Sequence, residues 1–111
     1  MHEKQALGAF AALSQETRLR IVRLLVTAGP EGMSAGAIGE AMDSASSSRM
    51  SFHLSNLEQA GFVESRREGR SIIYSAVLTA LSGLVEFLMR DCCQGRPEVC
   101  HPAMAALSSC C

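Results

Sequence analysis

The sequence predicts a mainly α-helical domain with a β-hairpin wing, a winged helix-turn-helix, and three observations predict it. Apolar residues recur at helical spacing before residue 30 and again after residue 78. Between those stretches a short helix and a polar turn lead into a second helix with one polar face, the pattern of a helix-turn-helix. Two strand-like runs around a glycine follow directly. A chain of 111 residues suits one compact domain with a single core. That length argues against a multidomain enzyme, and residues 1–91 read as the domain, with residues 92–111 as an appended tail.

Apolar residues make up 48% of the chain and charged residues 19%, with 3 prolines, which is a globular composition. The formal net charge is -1, so any affinity for nucleic acid must come from uneven placement of charge. MHEKQALGAF lacks the apolar run of a secretion signal. No apolar stretch approaches the roughly 20 residues that span a bilayer. A cytoplasmic protein with no membrane partner is expected.

Residues 4–13 read as a first helix whose stripe is Leu7, Phe10, Ala11 and Leu13. Ser14 is the expected N-cap of the next, because its hydroxyl can accept an amide near Thr17. In that helix Leu19, Ile21, Val22, Leu24, Leu25 and Val26 supply apolar surface, and Arg18, Arg20 and Arg23 supply charge. Gly29, Pro30 and Gly32 stop it. Ser34 caps a third helix reaching to about Met42, with Ile38 and Met42 inside. Asp43 and Ser44 interrupt the pattern before a helix over 45–59. There Met50, Leu54 and Leu57 recur at helical spacing and face inward together. The opposite side carries Ser48, Arg49, Phe52, Ser55, Asn56 and Gln59. Gly61 ends that helix and the period changes to that of strands over 62–67 and 70–76, joined around Glu68-Gly69. A last amphipathic helix over 78–89 carries Leu81, Leu84, Val85 and Leu88 on its apolar side.

A helix can enter the major groove of double-stranded DNA, where small polar residues, Asn and Arg address phosphates and base edges. Ser48, Arg49, Ser51, Phe52, His53, Ser55 and Asn56 are expected on or beside that surface. Phe52 either meets a thymine methyl or packs against a neighbouring helix, and His53 either positions the helix or contacts phosphate. Arg66, Arg67 and Arg70 flank the hairpin tip and suit phosphate or minor-groove contact, diluted by Glu64 and Glu68.

The run FAALSQETRLRIVRLL resembles the opening of the ArsR/SmtB family of metal- and metalloid-responsive repressors. SFHLSNLEQAGFVESRREGRSIIYS resembles that family's recognition helix and wing, so the resemblance covers most of residues 7–76. It implies a small homodimer that releases operator DNA when an inducer binds. It also implies that Ser51, His53 and Leu54 belong to the recognition helix, Gly69 and Arg70 to the wing, and residues 4–13 and 78–89 to the dimer interface. The resemblance does not choose the inducer. A familiar arsenic site uses cysteines in the region matching 33–42, which has none here, and a familiar zinc site uses the last helix, which offers only Glu86.

The tail supplies the candidate sensor. All five cysteines, Cys92, Cys93, Cys100, Cys110 and Cys111, lie in the last fifth of the chain. An odd number in a reducing compartment argues against a disulfide scaffold. Cys92, Cys93 and Cys100 place three soft donors around a loop containing Gly95 and Pro97, and thiolates favour thiophilic ions over hard cations. Three sulfurs match the pyramidal coordination of trivalent arsenic. In similar arsenic-responsive proteins a C-terminal cysteine group serves as sensor. The expectation is an arsenite-responsive repressor with no resident cofactor. Alternatives are a repressor responding to cadmium, lead, zinc, antimonite, organoarsenicals or thiol oxidation, or a small thiol or arsenical transferase. No Cys-His-Asp arrangement supports the enzyme.

Overall fold

Gln15, not Ser14, starts the second helix, because the longer side chain reaches forward to accept the Arg18 amide at 2.9 Å. The Ser14 hydroxyl turns the other way and donates to the Ala11 carbonyl at 2.8 Å, finishing the helix before it. These two helices, α1 (Glu3–Leu13) and α2 (Glu16–Ala28), lead through a 3-10 turn (Gly29–Glu31) and strand β1 (Met33–Ser34) to α3 (Ala35–Ala41) and α4 (Ser47–Gln59). Strands β2 (Val63–Glu68) and β3 (Ser71–Ala76) and helix α5 (Leu78–Phe87) complete the order. The structure, a computed structural model, describes residues 2–42 and 47–89. The five tail cysteines lie outside the described residues.

The expected hairpin is present, with two differences. Glu68 still pairs with Ser71, so the turn falls on Gly69-Arg70 rather than Glu68-Gly69. A third strand also joins: β1 pairs antiparallel with β3 through Met33 and Tyr74, giving the order β1-β3-β2. Gly32 makes that pairing possible. Its φ of 70° and ψ of -168° lie in a region essentially reserved for glycine, and a Cβ there would collide with the Tyr74 carbonyl.

Ser34 caps α3 as expected, accepting from the Ala37 amide at 3.1 Å. At the end of α4, Gly61 takes a φ of 85° and the chain closes in a Schellman turn, Phe62 N to Leu57 O and Gly61 N to Glu58 O. That turn drives Phe62 into the core beside Leu57. Ile21, Leu25, Ile38 and Leu54 complete the fully buried centre, and Ala6, Ala9, Val22, Met50, Val63 and Leu84 surround it.

The terminal helices divide their apolar residues between core and surface. Ala6 and Ala9 are the buried residues of α1, whereas Leu7 is 62% exposed and Phe10 39%. Small side chains let α1 lie close to the core, and the large ones project outward. On α5, Leu84 is buried and Leu81 half-buried, while Leu78, Val85 and Leu88 are exposed. The expected stripes are therefore split between the protomer's core and its surface.

Candidate nucleic-acid interface

Helix α4 has two faces of opposite chemistry. Met50, Leu54 and Leu57 lie inward, all buried, and successive residues at a hundred-degree rotation set Ser48, Phe52 and Ser55 on the opposite side. Ser48, Arg49, Ser51, Phe52 and Ser55 are all exposed. The flanks carry different neighbours. Toward the wing, the Ser65 hydroxyl of β2 donates to Glu58 at 2.8 Å and ties the two elements together. On the other flank Asn56 is half-buried and donates its amide to the Phe52 carbonyl at 3.0 Å. With Gln5, Arg18, Gln59 and Thr79 it lines a groove of about 860 Å³ between α1, α4 and α5, at the edge of the face carrying Phe52.

His53 does not belong to the exposed surface. It is only 6% exposed, and its Nδ1 stands 3.4 Å from the Arg18 guanidinium of α2. Arg18 stays charged and can only donate, so Nδ1 accepts and the ring carries its proton on Nε2. Burial, and then the charges of Arg18 and Arg49, hold the His53 pKa below the usual histidine value. The same arginine donates Nε to the Ala12 carbonyl at 2.7 Å. Of the two roles expected for His53, the geometry supports positioning and withdraws phosphate contact.

The wing arginines divide likewise. Arg66 donates to the Pro30 carbonyl at 3.2 Å and the Glu31 carbonyl at 2.5 Å, and it pairs with Glu68 at 3.3 Å. It clamps β2 to the turn after α2 rather than projecting freely. Arg67 and Arg70 flank Gly69 at the tip, and like Arg66 both are exposed. Arg67 makes a long bond from Nε to the Gly69 carbonyl, 3.5 Å. The exposed polar face of α4 and this arginine pair are thus carried by elements whose mutual placement is fixed by side-chain bonds. Sequence reasoning missed the Arg66 clamp and the Arg18 bridge, because each joins residues more than thirty positions apart.

Among the described residues no three His, Cys, Asp or Glu side chains come together to hold a metal ion. No helix among them is long and apolar enough to cross a membrane.

Residues 13–66 match the helix-turn-helix domain family. The chain is 35% identical to the uncharacterized HTH-type transcriptional regulator YceK of Bacillus subtilis over 83 residues, 71% of this chain and 81% of that one. It is 29% identical to the transcriptional activator HlyU of Vibrio cholerae, over 81% and 80% of the two chains. The fold superposes on an ArsR-like transcriptional regulator from Rhodococcus sp. RHA1 with a TM-score of 0.72, 29% identity and coverage of 96% and 92%. The chain belongs to the HTH-type transcriptional regulators, with the winged helix-turn-helix fold of ArsR/SmtB regulators. Two further ArsR/SmtB-like structures share its fold. One, a possible transcriptional regulator for arsenical resistance, is 32% identical with a TM-score of 0.62 over 71% and 78% of the chains. The other is the homodimeric DNA-binding domain of Mb0332 from Mycobacterium bovis, 27% identical with a TM-score of 0.62 over 74% and 73%. As a member of this family the protein is a DNA-binding transcriptional regulator and not an enzyme. In the family's terms α3 and α4 are the helix-turn-helix and the β2–β3 hairpin is the wing.

Proposed function

We propose that the protein is an arsenite-responsive repressor, a cytoplasmic homodimer that holds double-stranded operator DNA and releases it when trivalent arsenic binds thiolates. The observation that carries the DNA reading is the exposed face of α4, with Ser48, Arg49, Ser51, Phe52 and Ser55, set beside Arg67 and Arg70 at the wing tip. Asn56 extends this face at its flank. His53 is held behind it by Arg18, and Arg66 ties the wing strand to the turn after α2. Large apolar side chains exposed on α1 and α5, Leu7, Phe10, Leu78, Val85 and Leu88, offer the dimer contact, and burying each is worth about 1.5–3 kcal/mol. Isologous pairing across a two-fold axis sets two recognition helices about 34–36 Å apart, one turn of DNA. The homodimeric Mb0332 domain supports this arrangement.

Support for the inducer comes from the five cysteines gathered beyond α5 and from the likeness to a possible regulator of arsenical resistance. Cys92, Cys93 and Cys100 are the proposed ligands, with antimonite, another trivalent thiophile, as a second inducer. Binding there acts on the chain leaving the dimerisation helix, and a coupling of about 3 kcal/mol lowers DNA affinity more than a hundredfold. The likeness to the activator HlyU favours a second reading, in which the bound protein raises transcription.

Fluorescence anisotropy tests these statements. DNA from just upstream of the gene is titrated with reduced protein, and the complex then with arsenite, antimonite, cadmium, lead, zinc and a mild oxidant. Release by arsenite, lost in Cys100→Ser, supports the three-sulfur site. Full release from that variant overturns the three-sulfur site, and release by oxidant alone replaces arsenic with thiol oxidation. A reporter fused to the upstream DNA separates repression from activation.

A further inference from the structure

Phe52 is 61% exposed on a helix whose inward side is already complete. Met50, Leu54 and Leu57 fill the core beneath α4, so the ring adds nothing there, and no helix among the described residues covers it. Ser48 lies one turn before Phe52 and Ser55 one turn after, with Ser51 beside it toward the wing. Ser48, Ser51 and Ser55 thus flank the ring on its wing side, and Arg49 and Asn56 flank it on the other. The ring is steadied from behind, with its edge toward His53 at a centroid distance of 5.7 Å and an interplanar angle of 63°.

Small serines let the wing side of the helix approach the floor of a groove closely, and the large rigid ring between them reaches it there. A phenyl ring has no hydrogen bond to offer there. Set against guanine N7 and O6, or against the amino group of cytosine, it removes water from those groups and replaces none of their bonds. One group on the major-groove edge of the four base pairs is apolar, the C5 methyl of thymine. We propose that Phe52 determines operator specificity by packing against a thymine methyl in each half-site. The same contact discriminates against G·C at that position, through the unpaired polar edge rather than through an attractive bond. This inference rests on α4 entering the major groove, and it adds a base preference to that reading.

The test uses the full-length dimer and a duplex taken from the region that the protein protects in upstream DNA. The duplex is synthesised with thymine and again with deoxyuridine, which removes the methyls and leaves every Watson–Crick bond. Wild-type protein is expected to bind the uracil duplex about fourfold more weakly per contacted methyl, the equivalent of about 0.8 kcal/mol for one buried carbon. Phe52→Ala is expected to bind the thymine duplex more weakly and to show no difference between the two. Equal wild-type binding to both duplexes overturns the proposal, as does an equal uracil penalty in Phe52→Ala. The uracil arm needs no variant, so a folding defect cannot mask the result. A change in the dimer constant of Phe52→Ala without DNA also overturns it, by assigning the ring to a protein contact. Absence of any protected region defeats the DNA-binding reading itself, a different failure from protection without methyl dependence.

Discussion

The Arg18 guanidinium lies 3.4 Å from Nδ1 of His53 while its Nε holds the Ala12 carbonyl at 2.7 Å. One side chain on α2 therefore joins the last turn of α1, a proposed dimer helix, to the buried side of the recognition helix. A shift of α1 relative to α2 strains this bond directly, which gives a physical route from α1 to α4.

The bridge has a pH signature. Burial and two cations lower the His53 pKa, so the native state favours the neutral ring and resists protonation longer than the unfolded chain does. Stability from this group is complete above the unfolded value of about 6.5 and is lost as the pH falls from there through the lower native value. The thermal midpoint should hold steady above neutrality and drop below it. His53→Gln should remove that part of the drop, and Arg18→Met, which deletes the bonds to His53 and Ala12, should destabilise by about 1.5–3 kcal/mol. Superimposable pH profiles for wild type and His53→Gln would contradict this account.

Gly32 should tolerate no side chain. Alanine there meets both an unfavourable backbone conformation and the Tyr74 carbonyl, so Gly32→Ala is expected to cost about 2–3 kcal/mol in urea denaturation. Gly36 on α3, where a Cβ meets nothing within 4 Å, is the control, and Gly36→Ala should not destabilise the fold. Equal costs at the two positions would remove the steric explanation.

The wing arginines should separate in salt titrations. Arg67→Ala and Arg70→Ala should each weaken binding across DNA sequences and flatten the slope of log affinity against log salt by about 0.9 per phosphate contact. Arg66→Ala should instead lower the stability of the fold by about 1 kcal/mol, through loss of its bonds to the Pro30 and Glu31 carbonyls. A flattened slope with unchanged stability in Arg66→Ala would return that residue to the contact surface.

The exposed faces of the terminal helices should govern assembly without governing the protomer's fold. Leu7→Asp combined with Val85→Asp is expected to shift sedimentation to monomer, keep the helical circular dichroism, and weaken DNA binding through loss of the second half-site. Continued dimerisation of the double variant would place the interface elsewhere.

The α4 pattern shows how far local spacing carries. Met50, Leu54 and Leu57 were assigned inward by period alone, and the recognition helix, the hairpin and the Ser34 cap could be read the same way. On α1 and α5 period marks an apolar stripe without saying whether the protomer or another surface covers it. Leu7 and Phe10 satisfy the helical spacing as well as Ala6 and Ala9 do. Period failed at β1, since two residues contain no alternation, and their strand exists through pairing with β3.

The winged helix-turn-helix on which the sequence reading began was determined by the sequence itself, through helical and strand periods, capping serine and turn glycines, all of them interactions between residues a few positions apart. The tertiary structure decided which residues of that module face outward. It turned His53 inward to Arg18, tied Arg66 to the Glu31 carbonyl, and left Phe52, Arg67 and Arg70 exposed. Those outcomes depend on bonds and burial between segments distant in the chain, and such contacts leave no mark on local spacing.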